Sequence, residues 1–378
     1  MLRRVMDQQA FDVVVIGAGI AGATCAAALA PTHRVALIEA EEAAGYHSTG
    51  RSAAFWILNY GPADVRALTG ASRAFFEQPP PGFADHPLTR RRSMVFLAPR
   101  AQRAHLDRLI AEGIELRAAP VAEIKAMVPG LRAEYAEAAA IEDDAFDMDV
   151  AAILQGYLRQ LRAAGGVLAL RHRSGRIERR AGSWQVETAG GTVFAAPVIV
   201  DAAGAWADDV ARQAGMAELG LVPCRRTAAI IDPAPWQVED WPMINDADHT
   251  WYVRPEARTR LLVSPADQTP THAHDVQAEE LDVAVAIDRM QQALDITVRR
   301  VERSWAGLRT FTPDGSLAIG FDGRAPGFFW CAGQGGYGIQ TSPAAGRLVA
   351  DLIAGRDPGK AAAILPAIDP NRFAARAA

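Results

Sequence analysis

The stretch FDVVVIGAGIAGATCAAALA, from Phe11 to Ala30, leaves this chain few folds to choose from. An apolar, β-branched run passes into glycines and then into an alanine-rich segment, which is the pattern of strand, tight turn and helix. Gly17, Gly19 and Gly22 stand in the spacing G-x-G-x-x-G. The first permits the turn, the second admits a pyrophosphate close to the backbone, and the third lets helix and strand pack together. Ile20 and Ala21 then open a helix whose free N–H groups face bound phosphates. A second strand, RVALIEAEE, ends in Glu39 and Ala40 about twenty residues after the glycines. A carboxylate there accepts hydrogen bonds from ribose hydroxyls and disfavours a 2′-phosphate.

This motif alone does not separate NAD from FAD. Two later segments repeat its form. PVIVDAAGAWADD is an apolar strand breaking at Ala203 and Gly204, with Trp206 opening a new helix. GFFWCAGQGGYGIQTSPAAG is a strand, a glycine-rich turn through Gly335, Gly336 and Gly338, and a last amphipathic helix. Three such junctions, far apart in the chain, suggest one cofactor wrapped by distant segments, which suits a retained flavin better than a nicotinamide that must leave.

With 378 residues and half of them hydrophobic, the chain is long enough for two interwoven lobes. A net charge of −5 and arginines scattered rather than clustered argue against a nucleic-acid partner. Arginine nearly to the exclusion of lysine reflects a GC-rich bacterial genome and carries no functional message. Cys25, Cys224 and Cys331 show no metal-ligand spacing, so no metal site and no structural disulfide are expected, in a reducing, cytoplasmic compartment. Leu2-Arg3-Arg4 ahead of the uncharged run from Val13 to Ala30 has the look of a targeting or membrane segment, but Asp12 and the glycine spacing oppose that reading. No transmembrane segment is expected.

GAGIAGA, GYHSTGRSAA, VRALTGASRAFFEQPPPGF, AAGAWAD, WPMIN, SWAGLRTF and QGGYGIQTSPAAG occur in an order that resembles the FAD-dependent D-amino-acid oxidase, glycine oxidase and sarcosine oxidase group, in particular the D-arginine dehydrogenase type of D-amino-acid dehydrogenase. The resemblance covers nearly the whole chain. It implies a two-lobed α/β (α+β) fold: a Rossmann-type FAD-binding domain interleaved with a substrate domain built on an antiparallel sheet. On that basis residues 1–55, 140–215 and 305–378 are expected in the first and 56–139 and 216–304 in the second. It also implies that His47, Ser48, Thr49, Gly50, Arg51 and Ser52 lie beside the pyrophosphate and ring, and that Gly307 and the loop Gly335, Gly336, Tyr337, Gly338, Ile339 and Gln340 approach the ring. For Ser48 a helix cap is the bland alternative.

An amino-acid oxidoreductase must hold a carboxylate and present the Cα–H to the flavin, and an arginine fork matches a carboxylate through two parallel hydrogen bonds. Arg309 in SWAGLRTF and Arg226 in VPCRRTAA resemble the family's carboxylate-binding positions; internal salt bridges are the alternative for both. Tyr252 and Tyr60 match substrate-contacting tyrosines, the second on a lid with Gly61 and Pro62 as hinge, although buried structural tyrosines are common. Gly335 and Gln340 match the loop near the substrate amine. Cys331 invites a covalent flavin link, but a position inside an apolar strand suits a buried structural thiol, so FAD is expected to be non-covalent. No catalytic base stands out; His47 and His86 have suggestive neighbourhoods only.

Two departures bear on the substrate. Where the D-arginine enzymes have an acid for the guanidinium, this chain offers Ser93 or Met94, and where they have a lid histidine it has Phe55, with Ile57 nearby. Oxidative deamination shifted toward neutral, hydrophobic D-amino acids is therefore expected, with oxygen or a quinone as electron acceptor; a quinone would bring the protein to the periphery of the inner membrane. A glycine or sarcosine-type amine oxidase, an NAD-dependent dehydrogenase and a flavin-binding protein without turnover are the rival readings.

Overall fold

The computed structural model describes residues 8–376; Leu2-Arg3-Arg4 lies outside them. Two large sheets organise these residues. The first has six strands in the order Val167–Ala169, Val35–Ile38, Val13–Ile16, Val198–Asp201, Phe328–Ala332 and Ala318–Phe321, parallel except at the last pair. Val13–Ile16 and Val35–Ile38 are buried along their whole length, as unbroken apolar runs in a parallel sheet are when both faces are covered, here by helices on one side and by a four-stranded sheet with helix Ala207–Gln213 on the other. Helix Ile20–Leu29 lies against this sheet and against helices Gly338–Ile353 and Val150–Ala163. Its alanines let those helices approach closely.

The second sheet has nine strands and is antiparallel apart from the pairing of Met243–Asp246 with Met94–Ala98. Period-2 alternation divides its side chains. On one face Val95, Leu97, Ala229, Ile231, Ile244, Val253, Leu261 and Val263 pack with Val283, Ala286 and Met290 of helix Glu280–Ala293. On the other face Met94, Phe96, Ala228, Met243, Tyr252 and Leu262 pack with Phe55 and Ile57. Arg226 and Tyr252 have their side chains on this same inner face. A four-stranded sheet and a three-stranded one complete the structure.

The chain crosses between lobes more often than the expected boundaries imply. The boundary at 305 falls inside strand Val301–Phe311, which pairs with Val222–Ile231 in the nine-stranded sheet. Ala138–Glu142 also belongs to that sheet. Helix Ala63–Glu77 buries Val65, Leu68 and Phe76 in the core beside the six-stranded sheet, against helix Gly338–Ile353. No described helix is long and apolar enough to cross a membrane.

Candidate active site

A cavity of ≈ 600 Å³ opens at the C-terminal ends of the parallel strands. Gly17 turns the chain at φ +100°, and a Cβ there would meet the Ala202 carbonyl oxygen at 2.6 Å. A Cβ at Gly22 would stand 1.8 Å from the Gly17 oxygen, so helix and turn touch backbone to backbone. Gly19, Ile20 and Ala21 line the cavity at the helix N-terminus, while Gly22 packs behind them.

The loop after Glu39 folds back over this turn. Gly45 N–H donates to Ala18 O (3.0 Å), Gly50 N–H donates to Gly45 O (2.7 Å), and Thr49 Oγ1 accepts from Ile20 N–H (3.0 Å). Ser48 and Thr49 thereby line the cavity, whereas Gly50 serves the turn. Glu39 accepts from Ala18 N–H (2.7 Å) and Glu41 N–H (3.0 Å) and borders the cavity with Ala40. The opposite wall is Ala203, Gly204 and Trp206. His47 lies with its ring 4.5 Å from that of Trp206 and Nε2 3.2 Å from Glu41, while its Nδ1 is buried without a partner among the described residues. A helix N-terminus, two positions closed to any Cβ, a carboxylate at the far end and an unpartnered imidazole nitrogen fit a bound dinucleotide of the FAD type.

The cavity continues, through Gln334 and Gly335, into a second space of ≈ 100 Å³. Ser52, Gly307, Gly336, Gly338 and Ile339 border it, together with Tyr252, Arg226 and Arg309. Strand register explains the grouping. Arg226 pairs with Gly307 across the ladder and Cys224 with Arg309, so alternate residues of two neighbouring strands turn their side chains inward. Arg309 Nη1 donates to the Tyr60 hydroxyl at 2.6 Å. No described carboxylate is within salt-bridge distance of Arg309. Arg226 Nε donates to Asp267 O (2.6 Å), and the Asp267 carboxylate stands 3.9 Å away, already bonded to Thr227.

Burial, and then the like charge of Arg309, lower the Arg226 pKa. For Arg309 burial acts downward, but the surrounding phenols of Tyr60, Tyr252 and Tyr337 outweigh it and the pKa is raised. Burial alone would raise the Tyr60 phenol; Arg309 and Arg226 outweigh it and hold the pKa below the ordinary tyrosine value. The pair of guanidiniums thus faces the cavity with only phenols close to Arg309, an arrangement able to receive a carboxylate.

The remaining expected residues have other partners. Arg51 borders the smaller cavity, while its guanidinium donates to Val276 O (2.9 Å) and Ala306 O (3.2 Å) and pairs with Asp275. Tyr337 packs its ring 5.1 Å from that of Tyr60. Gln340 is buried with its amide donating to Thr69 Oγ1 (2.8 Å) and Ile57 O (3.3 Å), so it pins the segment before Tyr60 rather than facing the cavity. That segment is held on its other side by buried Glu142, which accepts from Leu58 N–H, Asn59 N–H (3.2 Å) and Asn59 Nδ2 (2.8 Å). His86 is at the surface beside Asp149, the N-cap of helix Val150–Ala163. Cys331 is buried with Sγ 3.4 Å from Cys25 Sγ, inside the core. Phe55, Ile57 and Met94 join the apolar wall around Tyr252.

Sequence reading passed over Gln334, His172 and Arg173, which also line the larger cavity, and His249, whose ring is 6.1 Å from that of Tyr60. Position at the end of the parallel strand Val167–Ala169 was the available signal for His172 and Arg173; His249 has only its nearness to Tyr252 in the chain.

The chain is similar to several known proteins. A glycine oxidase of Geobacillus kaustophilus is 31% identical over 169 residues, a match spanning 44% of this chain and 43% of that enzyme, less than half the length of each. The glycine oxidase of Pseudomonas aeruginosa is 28% identical over 372 residues, covering 92% of this chain and 95% of that one. Among solved structures, glycine oxidase from Geobacillus kaustophilus superimposes with a TM-score of 0.82 at 22% identity, covering 92% and 95% of the two chains. L-proline dehydrogenase from P. horikoshii gives 0.83 at 20% identity, covering 98% and 99%. At such identities the superpositions establish the fold. The model of the DAO family, FAD dependent oxidoreductase, matches residues 12–352, and the chain belongs to that family, with FAD as its cofactor.

Proposed function

We propose that this protein oxidises the Cα–N bond of neutral D-amino acids, giving an imino acid that water converts to a 2-oxo acid and ammonia. The observation that carries the reading is the Arg309–Arg226 pair facing the smaller cavity, with a phenol rather than a carboxylate hydrogen-bonded to Arg309. Arg309 grips the substrate carboxylate through two parallel hydrogen bonds, Arg226 adds charge, and the Tyr252 and Tyr60 hydroxyls orient it. Gly17, Gly19, Ile20, Glu39, Thr49, Gly204 and Trp206 hold the cofactor non-covalently, with the Cys331 thiol buried behind Gln334. When bound, FAD supplies a two-electron acceptor for the hydride leaving Cα. Oxygen or a quinone takes those electrons on.

Phe55, Ile57, Met94 and Phe96 make the wall beyond Tyr252 apolar, which supports a neutral side chain and weakens the case for D-arginine. The D hand rests on the resemblance of GYHSTGRSAA, WPMIN and SWAGLRTF to the D-arginine dehydrogenase type. A second reading, glycine or sarcosine as substrate, is favoured by the small cavity and by the glycine oxidases among the relatives.

The deciding experiment is an anaerobic visible spectrum of the holoenzyme titrated with D-leucine, D-arginine, L-leucine, glycine and sarcosine. Bleaching by D-leucine with little response to L-leucine and D-arginine is expected. Bleaching by glycine or sarcosine alone moves the protein to the second reading. An oxidised spectrum under all five refutes both. Admitting oxygen to the bleached sample then separates oxidase from dehydrogenase.

A further inference from the structure

Among the described residues, the inner face of the nine-stranded sheet also carries an amide without a full complement of partners. Asn245 pairs with Tyr252 on one neighbouring strand and with Phe96 on the other. Directly opposed residues present their side chains to the same side, so Asn245 stands on the face whose Tyr252 lines the smaller cavity. It is 6% exposed, and its Oδ1 is buried with no partner among the described residues. Its Nδ2 meets Nδ1 of His249. Gln340, equally buried, has both ends of its amide bonded, so an unsatisfied amide is not the rule in this interior.

His249 adopts φ 54°, the left-handed region, and this turn brings its ring back over Asn245, between Phe96 at 5.9 Å and Tyr60 at 6.1 Å. Burial lowers its pKa, so the imidazole is neutral and carries one donor and one acceptor. The surrounding wall is hydrocarbon: Phe55, Met94, Met243 and Leu262. A lone amide oxygen in such a wall is unfavourable unless a ligand or water bonds to it. A hydroxyl both donates and accepts, and it satisfies the free end of the amide in either orientation.

We propose that Asn245, positioned by His249, is a specificity residue that hydrogen-bonds the side chain of the substrate, so that a neutral side chain bearing a hydroxyl or amide is preferred to the hydrocarbon of the same shape. This rests on the amino-acid reading above and narrows its substrate class.

The test uses isosteric pairs, D-threonine against D-valine and D-asparagine against D-leucine, with the holoenzyme and with Asn245→Val. In the natural protein the hydrogen-bonding member has the higher kcat/KM, on the order of tenfold. In Asn245→Val the loss falls on D-threonine, chiefly through KM, and the threonine-to-valine ratio drops to about one. A ratio near one in the natural protein overturns the proposal without any variant, so a variant that fails to fold does not shelter it. Equal losses on both members of a pair also overturn it and leave Asn245 as a partner for buried water. Oxidation of both isosteres at equal rates defeats this proposal alone; an unbleached flavin with all four defeats the D-amino-acid reading as well.

Discussion

Arg309→Met keeps the length of the side chain and removes its charge, and this separates a substrate clamp from a structural ion pair. In the resting protein the guanidinium donates to Tyr60 at 2.6 Å, and its pKa carries the influence of three phenols and no acid. Losing a hydrogen bond to a charged group costs about 1.5–3 kcal/mol. Relief of the desolvation of a charge and of repulsion from Arg226 acts the other way, by up to several kcal/mol. The two effects offset, so folding stability is expected to change by about 1 kcal/mol or less in either direction. With substrate bound, a desolvated carboxylate–guanidinium pair is broken, at about 3–5 kcal/mol. At about 1.4 kcal/mol per factor of ten, kcat/KM falls by roughly two to four orders of magnitude. Arg309→Lys, which keeps the charge but loses the fork, falls between. Reduction of an artificial dye gives kcat/KM without prejudging the natural acceptor, while thermal unfolding and flavin content report integrity. A variant that keeps kcat/KM within about fivefold refutes the reasoning. So does one that loses more than about 3 kcal/mol of stability, because the arginine then holds the fold.

Gly22→Ala, whose Cβ would fall 1.8 Å from the Gly17 oxygen, is expected to cost about 3 kcal/mol and most of the bound flavin, read from thermal unfolding and flavin per chain. Asp201, wholly buried with Oδ2 unpartnered among the described residues, has its pKa raised well above the ordinary carboxylate value by burial. Its stabilising contribution is complete below the unfolded pKa and declines as pH rises toward the folded one, so the stability of Asp201→Asn relative to the natural protein should increase with pH, by at most about 1.4 kcal/mol per unit. A gap that does not change with pH contradicts this. Raising pH ionises Tyr60 earlier than an ordinary tyrosine, and the phenolate competes with substrate for Arg309; KM therefore climbs on the alkaline side, and Tyr60→Phe flattens that limb of the kcat/KM profile. Acid precipitation should release all of the flavin into solution, in the natural protein and in Cys331→Ala alike; colour retained in the natural pellet alone would establish a covalent link.

The nucleotide half was legible because its signals are local. A β-branched run, glycines at three fixed offsets and an alanine-rich helix each have one low-energy arrangement, and the loop Gly45–Gly50 comes soon after the second strand, Val35–Ile38. The lid region is different. Helix Ala63–Glu77 packs against Gly338–Ile353, and Gln340 binds Thr69 and Ile57 across more than 270 residues of chain. Nothing near either residue announces such a contact. Arg51 is expected beside the cofactor from the family resemblance; it borders the smaller cavity, but its guanidinium bonds to Val276 and Ala306, more than 220 residues away in the chain. Asn245 and His249 were invisible for another reason: a polar residue in an apolar strand gains meaning only once the register puts Tyr252 opposite it.

The same register decides which of two adjacent arginines faces the cavity. Arg225 and Arg226 are neighbours in Val222–Ile231, so the pleat sends them to opposite faces. Arg225 turns outward to Asp282 at 2.9 Å and to Glu279, at the start of the helix that covers that face. Arg226 turns inward beside Arg309, where the nearest carboxylate is 3.9 Å away and already engaged by Thr227. The outer face thus neutralises its arginine internally, while the inner face leaves two guanidiniums without a close carboxylate partner among the described residues. A slip of one residue would exchange these roles, and it would also carry Ala229 and Ile231 out of the apolar layer on helix Glu280–Ala293. The hydrophobic pattern that fixes the core therefore fixes which arginine joins Arg309 in the proposed carboxylate clamp, although nothing in the pair Arg225-Arg226 distinguishes the two residues by itself.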